Sequence, residues 1–91
     1  METQSKEKIL INLKKANSLT SKITQMVESD KYCIDIMQQN LAAIGLLKSA
    51  HQMLMESHLH HCFLAAMDST NKKKKIQMVE EILKVSKLLN K

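Results

Sequence analysis

Residues 30–68 read DKYCIDIMQQNLAAIGLLKSAHQMLMESHLHHCFLAAMD, and the fold turns on whether this stretch is one helix. It contains no proline and a single glycine, Gly45. Among strong helix formers that glycine costs only about 1 kcal/mol against alanine. Cys33, Met37, Leu41, Ile44, Leu47, Leu54, Met55, His58 and Cys62 recur at helical spacing. The spacing predicts one long helix from Asp30 to Asp68, which at 1.5 Å per residue exceeds about 50 Å.

Three side chains on this stretch can ligate a metal: Cys33, His58 and Cys62. At about 100° per residue, His58 and Cys62 each fall within about 20° of Cys33 around an ideal α-helix. His58 and Cys62 are one turn apart and can share an ion, whereas Cys33 lies about 37 Å away along the same helix. A second copy packed antiparallel across a two-fold axis near Leu46 and Leu47 would bring Cys33 of one chain to His58 and Cys62 of the other, twice per dimer. The alternative is a hairpin broken at Gly45 that joins the ligands within one chain, although neither a proline nor a polar turn cluster supports a break there.

Composition points the same way. Ninety-one residues with 44% apolar content and no long polar tract make one small globular domain, residues 1–91. Tyr32 and Phe63 are the only aromatic residues, so aliphatic side chains and seven Met must build the core. No proline and one glycine predict an all-α chain. So short a chain cannot cover so long a helix alone, and the apolar stripe calls for partner chains. No apolar run reaches the roughly eighteen residues needed to span a bilayer. The opening METQSKEK does not read as a signal peptide, so a cytoplasmic location without membrane association is expected. Two cysteines in a reducing compartment are ligands or redox thiols before they are a structural disulfide. The net charge of +5 suits an anionic partner, and all fourteen basic residues are lysine.

Before the long helix, Leu10, Leu13, Ala16, Leu19, Ile23, Met26 and Val27 predict a first helix over Glu7–Val27, with residues 1 to about 5 loose. Lys8, Lys14, Lys15 and Lys22 supply much of its polar surface. Ser29 and Asp30 are expected to end it and to cap the next helix. After the long helix, Asp68, Ser69, Thr70 and Asn71 form a polar break with capping residues. A third helix opens at Lys72–Lys75, with Ile76, Val79, Ile82, Leu83, Val85, Leu88 and Leu89 as its apolar positions. The methionines read as core filler, His51 as a core or interface histidine, and His60 and His61 as surface residues. No internal repeat, glycine-rich phosphate loop or serine–histidine–acid set is present, and no enzyme is expected.

Two thiolates and an imidazole form a soft three-ligand set that suits Cu(I) best, while zinc would want a fourth ligand from water or His61. The run DKYCIDIMQQ, followed twenty-five residues after its cysteine by HLHHC, resembles the CsoR/RcnR family of metal-responsive transcriptional repressors. The resemblance covers roughly Leu10 to Leu89. It implies three helices per chain, an antiparallel four-helix-bundle dimer, pairing of dimers into a homotetramer, and operator DNA bound until an inducer arrives. The copper-sensing branch uses a Cys, His, Cys set that falls on Cys33, His58 and Cys62. Nickel and cobalt members carry extra N-terminal histidines, which this chain lacks, and persulfide-sensing members lack the histidine at His58.

Two departures matter. The family's arginine-rich first-helix stretch is replaced here by KKANSLTSK. Lysine neutralises phosphate, but arginine is the usual bidentate reader of guanine. Lys14, Lys15, Lys22 and Lys48 are the expected DNA contacts. Tyr32 and a third-helix glutamate are implied as outer partners of the metal site. A gapless register puts Met78 at the glutamate position, and Glu81 or Glu80 takes it after a shift around Lys72. The leading expectation is a Cu(I)-responsive repressor. Its alternatives are a copper-buffering oligomer without specific DNA binding, or a thiol or persulfide sensor using Cys33 and Cys62; the alternative metals are Zn, Ni and Co.

Overall fold

With no glycine or proline before position 45, nothing in the first 28 residues breaks a helix, and α1 spans Thr3–Glu28. The computed structural model describes residues 1–90; Lys91, the last residue of the expected domain, lies outside the described residues. The helix starts earlier than Glu7 because nothing between Thr3 and Lys6 opposes it: the Lys6 amide already donates to the Glu2 carbonyl at 2.9 Å.

The end of α1 corrects one expectation. Ser29 and Asp30 close the first helix, as expected, but do not cap the second, which starts at Cys33. Asp30 adopts φ 54°, in the left-handed region. The Lys31 amide donates to the Met26 carbonyl at 2.9 Å and the Asp30 amide to Val27 at 3.1 Å. This is the paired reverse bonding that satisfies the last carbonyls of a helix, with a short polar residue in the place usually taken by glycine. The Ser29 hydroxyl donates to the Gln25 carbonyl at 2.7 Å.

The second helix, α2, therefore starts at Cys33 and runs to Ser57, with Asp35 complementing the positive end of its dipole. Gly45 sits in mid-helix, and a methyl group added there would meet nothing within 4 Å, so the hairpin alternative is excluded. A π-helical turn, His58–Phe63, follows without an intervening loop, and the short α3, Leu64–Met67, completes the run. The stretch expected as one helix over 30–68 is thus helical from Cys33 to Met67, in three consecutive elements: α2, the π turn and α3. The chain is all-α, in three helical runs.

Two compact units divide the chain, Met1–Ser57 and a second beginning at His58. In the first, α1 and α2 pack together across a connection of residues 29–32, short enough to make them antiparallel. The α1 seam is Ile9, Asn12, Ala16, Leu19, Ile23 and Met26; the α2 seam is Ile36, Gln39, Ala43, Leu46, Ala50 and Met53. Both alternate steps of three and four, the spacing that keeps one stripe facing a partner helix. Ala16, Ala43 and Ala50 are its most buried members, at 3%, 3% and 1% exposure.

Small side chains at these positions let the helix axes approach. Ala50→Leu should therefore overpack the seam and lower stability by about 1–3 kcal/mol, read as a fall in thermal midpoint at fixed protein concentration. An unchanged midpoint would show that the seam has slack.

The stripe chosen from sequence on the second helix is not this seam. Met37, Leu41, Ile44, Leu47 and Leu54 are all exposed, Leu41 at 66%. On α1 the same holds for Leu10 and Leu13, while Ile9 takes the buried position. The long helix thus carries two apolar faces. One is buried by α1, and the other is left uncovered in a single chain.

In the second unit, α3 packs on α4, Lys72–Leu89. The polar break acts as expected: the Asn71 side chain accepts from the Lys74 amide at 3.2 Å, and the Asn71 amide donates to the Ser69 hydroxyl at 3.1 Å. Such a cap contributes about 1 kcal/mol. It offsets part of the repulsion between the helix dipole and Lys72–Lys75, in a first turn with no acidic residue.

Candidate metal centre and nucleic-acid interface

Each potential ligand owes its position to a helix end or a helix irregularity. Cys33 is the first residue of α2, placed there by the tight closure of α1 just before it; its thiol is free and exposed. His58 opens the π turn and is half-buried, and Cys62, also free and exposed, lies near the end of the same turn. His58 and Cys62 thus lie within one π-helical element.

His58–Phe63 is π-helical where the sequence predicts α-helix. A π turn closes i→i+5 hydrogen bonds and so takes up about one more residue than an α turn. Within His58–Phe63 the α-helical step of about 100° per residue therefore does not apply. The common face of Cys33 and Cys62 cannot be counted off at 100° per residue through this turn. Such turns recur at functional sites because they re-aim side chains without ending the helix. Among the described residues of one chain, no group of three or more His, Cys, Asp or Glu side chains is placed to hold a metal ion.

The other residues singled out from sequence fall as follows. His51 is half-buried on α2, and His60 and His61 are exposed on the π turn. Tyr32 is 66% exposed immediately before α2. Glu80 and Glu81 are exposed on α4, and Met78 is half-buried on the same helix. Lys14, Lys15 and Lys22 are brought together: with Ser18, Leu19 and Leu46 they line a shallow hollow on the first unit. Lys48 is exposed on α2 but does not line that hollow. Sequence reasoning missed Ser18 and Leu46, although the i+4 step from Lys14 through Ser18 to Lys22 would have indicated the first.

Residues 5–88 match the family described as metal-sensitive transcriptional repressor. The chain belongs to that family. It is similar to the copper-sensing transcriptional repressor CsoR of Bacillus subtilis, with 34% identity over 98% of this chain and 85% of the relative. Similarity extends to the CsoR of Mycobacterium ulcerans, at 38% identity over 71% of this chain and 56% of that protein. It includes the copper-sensing repressor RicR of Mycobacterium tuberculosis, at 35% identity over 71% of this chain and 68% of that one. The chain thus spans most of the Bacillus relative but little more than half of the M. ulcerans one. Among solved structures, the copper-sensing repressor CsoR with Cu(I) from Geobacillus thermodenitrificans matches with a TM-score of 0.86 and 28% identity, covering 100% of this chain and 92% of that one. The family assignment makes the chain a regulator and not an enzyme. No helix among the described residues is long and apolar enough to cross a membrane.

Proposed function

We propose that the chain is a cytoplasmic Cu(I)-responsive repressor that binds operator DNA without metal and releases it when Cu(I) occupies an intersubunit site. Cys33 of one chain and His58 and Cys62 of another would hold the ion. The observation that carries this reading is the donor set itself, two free exposed thiols and an imidazole, on the fold of a copper-sensing repressor bound to Cu(I). Soft sulfur donors with one nitrogen fit Cu(I) better than Zn, Ni or Co, which would need further ligands. Tyr32 and Glu81 are proposed as outer partners of the site.

A second chain is needed on two counts. Among the described residues of one chain no group of three such donors is placed to hold an ion, and the apolar face through Met37, Leu41, Ile44 and Leu47 is exposed. An isologous antiparallel dimer would answer both, and two dimers would form the tetramer. Residues 1–91 then act as one metal-sensing, DNA-binding domain. Lys14, Lys15 and Lys22 around their hollow, with Lys48, would neutralise phosphates. Anaerobic titration of the reduced protein with Cu(I), with and without a pool of DNA, tests the reading. Tight binding of about one Cu(I) per chain, weakened by DNA, is the expected result.

One observation favours a second reading: both cysteines are free and exposed, as a thiol sensor requires. His58→Ala separates the two. A copper site should lose at least about tenfold to a hundredfold in affinity, the range found on removing even the supporting partners of metal ligands. A sensor built on Cys33 and Cys62 should keep its response to a persulfide donor. Unchanged Cu(I) affinity in His58→Ala, with that response intact, would replace copper by thiol chemistry.

A further inference from the structure

The densest positive charge in the chain is not used by the metal site or by the hollow on the first unit. Lys72, Lys73, Lys74 and Lys75 open α4, the first three exposed and the fourth half-buried. No acidic residue stands in that turn. The positions three and four residues on hold Lys75, Ile76, Gln77, Met78 and Val79, so no carboxylate of the helix can pair with them. The positive end of the dipole adds to the same field. Two amides of this turn are already engaged, that of Lys74 on the Asn71 side chain and that of Lys75 on the Asn71 carbonyl. What the surface offers a ligand is chiefly the four ammonium groups on flexible stems. Point charges of this kind suit a chain of phosphates, where each cation displaces a condensed counterion.

We propose that Lys72–Lys75 form a second phosphate-binding surface, separate from the lysines of α1, that contacts the backbone of double-stranded DNA. This rests on the DNA-binding reading above. At about 100° per residue the four side chains fan across about 300° of the helix, so two or three of them can reach one strand together. The contacts carry no sequence information, and their effect lies in affinity and salt dependence.

The test compares the full-length metal-free wild type with a variant in which all four lysines are Gln and one in which all four are Arg. DNA affinity is measured from about 50 to 200 mM salt, on one duplex carrying the operator and one of random sequence. The Gln variant should flatten the log–log slope by about two units on both duplexes, so that affinity falls roughly tenfold less across that range. The Arg variant should keep the wild-type slope. Helix content by circular dichroism distinguishes lost contacts from lost folding, and the Arg variant controls for disturbance of α4. If the wild type binds DNA and the Gln variant keeps its slope, this surface is not a DNA contact while the repressor reading stands. If the wild type binds no DNA at all, both fall together. A Gln variant that binds DNA as wild type but loses retention on vesicles of anionic lipid would overturn the proposal in favour of a lipid surface.

Discussion

A mixture of Cys33→Ala chains with chains carrying both His58→Ala and Cys62→Ala should recover tight Cu(I) binding that neither variant shows alone. In a mixed dimer, His58 and Cys62 of the first chain meet Cys33 of the second, and the opposite site loses all three donors. Random reassortment makes about half of the dimers mixed, each with one site where the wild type has two, so capacity should recover to about a quarter of wild type. The readout is tightly bound Cu(I) per chain against a competing chelator after unfolding and refolding the variants together. No single chain gathers three such donors among its described residues, so recovery would have to come from across an interface. Capacity equal to the sum of the separate variants would rule out a shared site.

The same experiment bears on the uncovered face of α2. Leu41, Ile44 and Leu47 are 66%, 41% and 47% exposed in one chain, a contiguous apolar stripe of the kind that marks an interaction surface. If dimerisation covers it, subunit exchange should be slow in native buffer and require denaturant. Free exchange under native conditions would mean that the stripe serves something weaker than an obligate dimer.

Much of this architecture was legible in the sequence because helix formers, breakers and caps agree with one another. Asn71 stops and restarts the chain where its amide chemistry predicts. Gly45 is carried in mid-helix by the strong helix formers around it. The choice of face was harder. A helix that is apolar on two sides gives a broad periodic signal, and periodicity does not say which side meets α1 and which meets another chain. Ala43 and Ala50 marked the close seam, but their small side chains carry little weight beside Leu41 and Leu47 in a hydrophobic pattern. The π turn at His58 was not legible at all. HLHHCF contains no glycine or proline, and a single widened turn leaves no compositional trace. It bears on the very residues whose angles mattered most. Asp30 shows the reverse case: it ends α1 as expected but does not also cap α2, because a short polar residue suits both a helix start and a left-handed helix end, and here the second role is taken.

Cu(I) should lower the affinity of the wild type for operator DNA by about 10- to 100-fold, and that of Cys33→Ala hardly at all. A 100-fold change corresponds to a coupling of about 2.7 kcal/mol, within the usual range between two sites on one protein. Linkage then fixes a companion result: saturating DNA must weaken Cu(I) binding by the same factor. Measuring both directions guards against artefact, since metal-induced aggregation would remove DNA binding without obeying that reciprocity. The DNA side has its own signature. With Lys14, Lys15 and Lys22 as the cations lining the hollow and no arginine among them, phosphate contacts should dominate and affinity should fall steeply with salt. Replacing Lys14 and Lys15 together by Ala should flatten the slope by up to about two units while leaving discrimination between operator and random DNA nearly unchanged. A loss of that discrimination would mean that these lysines read bases. Metal-free wild-type protein that binds no DNA even at low salt would remove the repressor reading, and a copper-buffering oligomer on the same Cys33, His58 and Cys62 would take its place.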